Sequence, residues 1–326
     1  VTDSGEILLQ KGTVIRQEYG ELLQSLNIAS IMVENQYDRY LHPEYPLADK
    51  DICSFQTEIK NLLQNHLYTK KGYLKHSMTI AEQMWEQICE VNPKKLFDIP
   101  TERTDYLSEH TFWVTVMALL LAEKSGFSRE QSIELAAAGI LHDLGLRYIT
   151  VPYENKAFDR PELTDAAEAF EYKKHTILAY TVLEQETWLS TQMREIILSH
   201  HEKMDGSGFP LKQKNQSDAC KIIQLCDTFD CLISGMECVR IPADHAMDLL
   251  VDQAGIRYEE KFIRQLFSGI ARYPVGTEVL LSDGSYAIVS RQTQKPENPV
   301  VMRLTSLHGD IIVGEEYDLS MHTDIH

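Results

Sequence analysis

The chain has 326 residues, 43% hydrophobic and 25% charged, with 49 acidic against 31 basic side chains and a net charge of −18. That length and composition suit a globular protein of two or three domains, and the acidic balance excludes the basic footprint of broad DNA or RNA binding. The strongest apolar run, residues 112–122, is about half of what a bilayer span needs, so no membrane association is expected either.

A small anionic ligand stays open, because bound cations can dominate a local field. Six cysteines are present, Cys53, Cys89, Cys220, Cys226, Cys231 and Cys238, with no Cys-x-x-Cys pair. The last four read as small apolar residues of a buried helix in a reducing compartment, which makes a cytoplasmic location the expectation. No signal peptide is legible, and an opening Val1 in place of Met leaves room for an upstream segment.

Residues 1–98 read as an N-terminal module with a regulatory or sensing role. It holds a mixed α/β lead over 1–40, with a helix near 18–26 and a strand near 31–34. A proline- and tyrosine-rich linker follows over 40–51, then amphipathic helices over 52–67 and 73–89, the second ended by Asn92-Pro93. Residues 99–273 read as a helical bundle. Ser108 is expected to cap a helix that runs to Lys124 and is closed by Gly126. Ser128 and Gln131 form a capping-box pattern for a helix ending at His142-Asp143-Leu144-Gly145. A polar loop over 152–164 precedes helices expected over 166–186, 191–201, 218–234, 244–255 and 258–267. Residues 274–326 change character. Short β-type runs over 277–281, 287–290, 300–304 and 311–313 are separated by turns such as Asp283-Gly284 and His308-Gly309. The expected fold is mainly α, with a small mixed module in front and a short β extension behind.

The chemistry concentrates in a few polar residues. His200-His201-Glu202 leads into Asp205, Gly206, Gly208, Phe209 and Pro210. Upstream stand His110, the dipeptide His142-Asp143, and His175; downstream stands Asp227. Imidazole nitrogens with one or two carboxylates, drawn from several helices, form metal sites on helical scaffolds. Successive residues on a helix point roughly 100° apart, so His142 and Asp143 can serve different metals or different sides of one. Asp143 has two oxygens and can bridge two cations. His110 and Asp227 would complete one site, and His175, His200 and His201 the other. Two cations about 3.5–4 Å apart acidify a water and steady both oxygens of a phosphoryl displacement, with His142 and Asp143 at the catalytic centre. Taken singly, each of these histidines is more simply a packed or exposed side chain; the ordered set is what points to metal. His42, His66, His76, His245, His308, His322 and His326 have no such company and read as surface or packing residues.

At these residues the chain resembles the HD-GYP branch of the HD metal-dependent phosphohydrolases, over roughly residues 102–272. The resemblance rests on His110, Leu141-His142-Asp143 with Gly145, Pro152, Leu163-Thr164, His175, the stretch from His200 to Pro210, and Cys226-Asp227 through Asp230. The tail at Tyr273-Pro274-Val275-Gly276-Thr277 and the lead at Gly12-Thr13 resemble extensions common in that family. The resemblance implies an HD-type helical bundle with two divalent transition-metal ions, iron or manganese, held by His110, His142, Asp143, His175, His200, His201 and Asp227. It implies hydrolysis of cyclic di-GMP, or a related cyclic dinucleotide, to a linear dinucleotide or GMP, and signalling proteins as further partners. Gly206, Gly208, Phe209, Pro210, Lys221 and Arg147 would meet the substrate. Glu202 and Asp205 would shape the glycine turn, and Asp230 would hydrogen-bond behind the ligands.

Several positions depart from the family pattern. Phe209 replaces its tyrosine and loses a hydroxyl donor. Leu146 replaces a lysine, with Arg147 adjacent. Lys221 replaces an arginine and loses the fork geometry. The stretch 234–238 lacks an arginine, with Arg240 nearest. Tyr106 stands where some members place a glutamate for a third metal, so two are expected. Lys156, Arg160, Lys173, Lys174, Lys203, Lys212 and Lys214 could steer a phosphate toward the site. The other departures fall on substrate contacts, which implies an intact two-metal centre with weakened or altered recognition. The alternatives are a catalytically silent cyclic di-GMP receptor or scaffold, and an HD phosphohydrolase for another nucleotide.

Overall fold

The computed structural model describes residues 19, 38–68, 72–154, 156, 158, 164–307 and 310–321. The expected α/β lead, most of the loop 155–163 with Arg160, the turn at 308–309, and His322 and His326 lie outside the described residues. The chain divides into two compact units, Val1–Leu41 and His42–His326; the described architecture is that of the second.

Ten α-helices are described there: α1 (Asp49–Asn65), α2 (His76–Ile88), α3 (Tyr106–Lys124), α4 (Arg129–Leu141), α5 (Ala166–Lys173), α6 (His175–Leu183), α7 (Thr191–Ser199), α8 (Asp218–Ser234), α9 (Ala243–Asp252) and α10 (Glu260–Phe267). The central one is α3. Phe112, Trp113, Val114, Val116, Met117, Ala118 and Leu119 follow one another on it and all are buried. A helix that is apolar on every side must be enclosed on every side, and α1, α2, α4, α8 and α10 pack around it. The helices α1 and α2 share one hydrophobic core with α3, α4, α7 and α8. Among the described residues no helix is long and apolar enough to cross a membrane.

Local signals set most helix ends. Ser128 and Gln131 make both halves of the expected capping box. The cap of α3 is Asp105, not Ser108: its carboxylate accepts the Ser108 N–H at 3.2 Å, so Ser108 sits one turn inside. The single helix expected over 166–186 is two, α5 and α6. The break falls at Lys174, whose N–H bonds back three residues to Glu171 rather than four. It starts α6 at His175, over the 3₁₀ turn Leu144–Tyr148. There Gly145 is indispensable, because a Cβ would overlap the carbonyl oxygen of His175. The helix expected to end at His201 stops at Ser199, leaving both histidines on the turn beyond it. The start of α10 moves from 258 to Glu260, since Gly255 at φ +70° and the Ala254–Tyr258 bridge occupy the preceding residues with a turn.

Four antiparallel strands follow in simple order: β1 (Glu278–Leu280), β2 (Tyr286–Arg291), β3 (Val300–Leu307) and β4 (Asp310–Asp318). The strand β4 outruns the expected 311–313 because its second half is an edge strand carrying Glu315 and Glu316 in solvent. The sheet has its own small core of Leu281, Ala287, Val289, Val301 and Leu319. Buried Asp98 ties it to the helices. One oxygen accepts the Val275 N–H and the Gln292 amide, and the other accepts the Glu44 N–H, at 2.8–2.9 Å.

Candidate metal centre

Five helices deliver the ligand-type side chains to one place. His110 lies in the second turn of α3. His142 and Asp143 follow the last turn of α4, His175 opens α6, His200 and His201 follow α7, and Asp227 lies in the middle of α8. All seven are buried, the most exposed being His201 at 8%. They form two groups, His110, His142, Asp143 and Asp227, and Asp143, His175, His200 and His201, with the donor atoms of each group within 4.8 Å of one another. Asp143 belongs to both. Its Oδ2 lies 3.5 Å from Nε2 of His110 and of His142, while Oδ1 lies 3.5 and 3.3 Å from Nε2 of His175 and His200. Asp227 Oδ1 faces His110 and His142 at 3.3 and 3.7 Å, and its Oδ2 faces Nδ1 of His201 at 3.6 Å.

The outer nitrogens fix which way the lone pairs point. Nδ1 of His142, His175 and His200 meets the backbone carbonyl three residues earlier, of Gly139, Tyr172 and Ile197, at 2.6, 2.7 and 3.1 Å. Nδ1 of His110 meets Asp230 at 2.8 Å. A carbonyl or a carboxylate only accepts, so in each case Nδ1 carries the proton and donates. Nε2 is then the nitrogen of each ring left to face a cation. Those of His175 and His200 stand 3.2 Å apart. Nε2 of His110 and His142, both oxygens of Asp143, and Oδ2 of Asp227 are buried without a hydrogen-bond partner. Unpaired acceptors in a dry interior are costly, and so many together ask for a cation. Two ligand atoms at 2.0–2.1 Å from a tetrahedral ion stand about 3.4 Å apart, close to the spacings found between these donors. The residues present therefore fit a pair of divalent ions.

Electrostatics divide the histidines into two kinds. Burial works against charge on His110, but the carboxylates of Asp143, Asp227 and Asp230 outweigh it and hold its pKa well above the ordinary value. His142 is raised against the same burial, by Asp143 and Asp227. Burial pushes His175 down to about 4, and His201 well below the ordinary value, with His200 adding in each case. Burial would raise Asp143 and Asp227, yet the surrounding histidines hold both well below the usual carboxylate range. Ionised carboxylates and neutral imidazoles are the forms that bind metal, so Asp143, Asp227, His175 and His201 already favour them, while His110 and His142 would release a proton to a bound cation.

Around this centre the structure adds residues that sequence reasoning missed. Buried Arg103 donates to Asp230 Oδ1 at 2.5 Å, so an Arg103–Asp230–His110 chain orients the His110 ring. Only the folded chain joins residues 103 and 230. The Tyr172 hydroxyl lies 3.2 Å from Nε2 of His201, and its ring stacks on Phe158 with centroids 4.4 Å apart. Its place three residues before His175 was a legible signal, since that spacing shares a helix face. Cys231 and Glu237 also approach Asp227.

The glycine turn holds Phe209 over the site. Its ring stacks on His201 with centroids 4.6 Å apart, and the Phe209 N–H bonds the His201 carbonyl at 3.3 Å. Gly208 admits no side chain, because a Cβ would overlap the backbone of His201 and Glu202. Gly206 takes φ +81°, and Pro210 follows Phe209 through a cis peptide bond. Glu202 accepts the Leu211 N–H at 2.5 Å, and Asp205 accepts the Ser207 N–H at 2.9 Å. Lys221 pairs with Glu259 at 2.9 Å, Arg147 is exposed on the turn after Asp143, and Arg240 is exposed and paired with Glu102. Leu146 is 3% exposed within the helical core, which explains why this position is apolar. Among the steering candidates, Lys173 lies over the Phe209 ring, 5.5 Å from its centroid. Lys156 pairs with Glu168, Lys174 with Glu171, and Lys203 bonds Thr228.

A family model described as HD domain matches residues 83–262. The chain is 24% identical over 211 residues to the cyclic di-GMP phosphodiesterase PdeB of Borreliella burgdorferi, covering 64% of this chain and 54% of that protein. It is 29% identical over 194 residues to a cyclic di-GMP phosphodiesterase of Thermotoga maritima, covering 54% and 51%. It thus spans about half the length of these curated relatives. Among solved structures it resembles Bd1817, an HDG"Y"P protein from Bdellovibrio bacteriovorus. The TM-score is 0.53 at 18% identity, over 66% of this chain and 69% of that one, a likeness of fold. Matched over more than half its length, the chain belongs to the HD domain family, in its HD-GYP branch.

Proposed function

We propose that this chain is a metal-dependent phosphodiesterase that opens cyclic di-GMP. The observation that carries the reading is the shared Asp143, whose two oxygens face two groups of buried donors, those of His110 and His142 without a hydrogen-bond partner. The names of the relatives support the substrate. His110, His142, Asp143 and Asp227 would hold one ion, and Asp143, His175, His200 and His201 the other. A nitrogen and carboxylate donor set of this kind suits iron or manganese. When bound, such a pair acidifies water and stabilises negative charge on a phosphoryl group.

The chain's own residues do the rest. Asp230, the Gly139, Tyr172 and Ile197 carbonyls, and the Tyr172 hydroxyl hold the rings in one tautomer and orientation. Phe209 offers a flat apolar face beside His201 on which a purine can stack, a contact worth roughly 1–3 kcal/mol. Gly206, Gly208 and Pro210 set the height of that face. Lys173, over the same ring, is placed to meet a phosphate.

The test is anaerobic incubation of iron- or manganese-loaded protein with cyclic di-GMP, with the products identified. Release of the linear dinucleotide or GMP, abolished by Asp143→Ala, is expected. Absence of turnover with both metals loaded would contradict the reading. One observation favours a second reading, a receptor that binds without hydrolysis. Leu146 is packed in the core and Lys221 is paired with Glu259, so one cation expected at the phosphates is absent and the other is neutralised. Binding retained in Asp143→Ala, lost in Phe209→Ala, and unaccompanied by product would favour it.

A further inference from the structure

Beyond the paired sites, a third group of donors stands against Asp227. Cys231 follows it by four residues on α8, which puts both side chains on one helix face. Glu237 lies just after α8. Its backbone takes φ +64°, a left-handed conformation unusual for a residue with a side chain. Its N–H bonds the Tyr153 carbonyl at 2.8 Å, and Met236 bridges Glu154. So held, the side chain turns back onto α8. Glu237 Oε2 lies 3.6 Å from Cys231 Sγ, and Cys231 Sγ lies 3.6 Å from Asp227 Oδ1. The three are buried, with Glu237 at 7% and Cys231 at 5% exposure. Glu237 Oε1 and Asp227 Oδ2 have no hydrogen-bond partner. A thiolate at about 2.3 Å and a carboxylate oxygen at about 2.0 Å from a tetrahedral ion stand about 3.5 Å apart, and both sulfur–oxygen spacings here are 3.6 Å.

We propose that Asp227, Cys231 and Glu237 form a third cation site, distinct from the Tyr106 position and adjoining the pair through Asp227. It rests on the metal-centre reading to the extent that Asp227 is shared. A thiolate with two carboxylates selects a borderline divalent ion such as zinc or ferrous iron over magnesium. Binding forms a sulfur–metal bond and releases the Cys231 proton to solvent. Glu237 Oε2 is also 3.6 Å from His201 Nε2, and Phe209 stacks on that ring. A cation there places positive charge beside the substrate face, where Leu146 provides none.

Cobalt(II) titration of the metal-free full chain tests this, read by absorption and by metal content at saturation. The expected result is a thiolate-to-cobalt charge-transfer band in the near ultraviolet. Cys231→Ala should lose the band and bind one ion fewer while keeping the pair. Glu237→Gln should bind one ion fewer, and it carries the variant test should Cys231→Ala fail to fold. A filled pair with no thiolate band in the wild-type protein would overturn the third site alone. No cobalt bound at all would overturn this site and the paired centre together.

Discussion

At the residue scale, the candidate ligands could be picked out because metal chemistry is restricted to few side chains, and His142-Asp143, His200-His201 and Asp227 stand in order along the sequence. Their supports were not legible. Arg103 carries no mark in its own neighbourhood, and it reaches Asp230 only through the fold. Asp230→Asn would keep the shape of that group but weaken the charge on the acceptor of the His110 Nδ1–H. Metal affinity is expected to fall roughly 10–100-fold, read by chelator competition; unchanged affinity would mean that the ring is held by packing alone. His66 offers a pH-dependent prediction away from the metal centre. Its Nδ1 meets the Leu63 carbonyl at 2.8 Å and so donates, while Nε2 accepts from the Tyr148 hydroxyl at 2.7 Å. Burial lowers its pKa, with Arg147 adding and the Leu63 carbonyl opposing. The unfolded chain therefore takes up this proton first. The contribution of His66 to stability is full above about pH 6.5 and is lost as pH falls through that value toward the lowered one. Urea denaturation at pH 7.5 and 5.5 should show a larger loss in the wild-type protein than in His66→Gln. Equal losses would contradict the assignment.

At the element scale, helix existence followed from apolar periodicity, and helix ends followed wherever a local cap decided them. The capping box at Ser128 is the clear instance. The break at Lys174 was not legible, because residues 166–186 carry no proline or glycine to announce it. The turn Leu144–Tyr148 and α6 pack so closely that only glycine fits at 145. Gly145→Ala is expected to cost roughly 1–3 kcal/mol as an overpacking change and to lower metal content, because relieving the clash moves His175. Gly126→Ala is the comparison. That glycine closes α3 at φ +75° with open space around it, so the cost is the left-handed backbone alone, roughly 1–2 kcal/mol, with metal content kept. Urea denaturation and metal analysis of both variants separate the effects. Equal metal content in both would show that the contact at Gly145 does not position His175.

At the scale of the whole molecule, the mainly α bundle with a β tail was written in composition and pattern, since α3 is apolar all round and the strands fall between turn residues. The docking of the tail was not, because Asp98 acts through three backbone or amide donors from residues 44, 275 and 292. The convergence of five helices on one buried group of lone pairs is likewise a property of the fold, and the central claim depends on it. The most direct measurement is anomalous X-ray scattering from crystals of the iron- or manganese-loaded protein. One peak is expected among His110, His142, Asp143 and Asp227, and another among Asp143, His175, His200 and His201, about 3.5–4 Å apart. Peaks elsewhere, or none at these donors in fully loaded protein, would contradict the account.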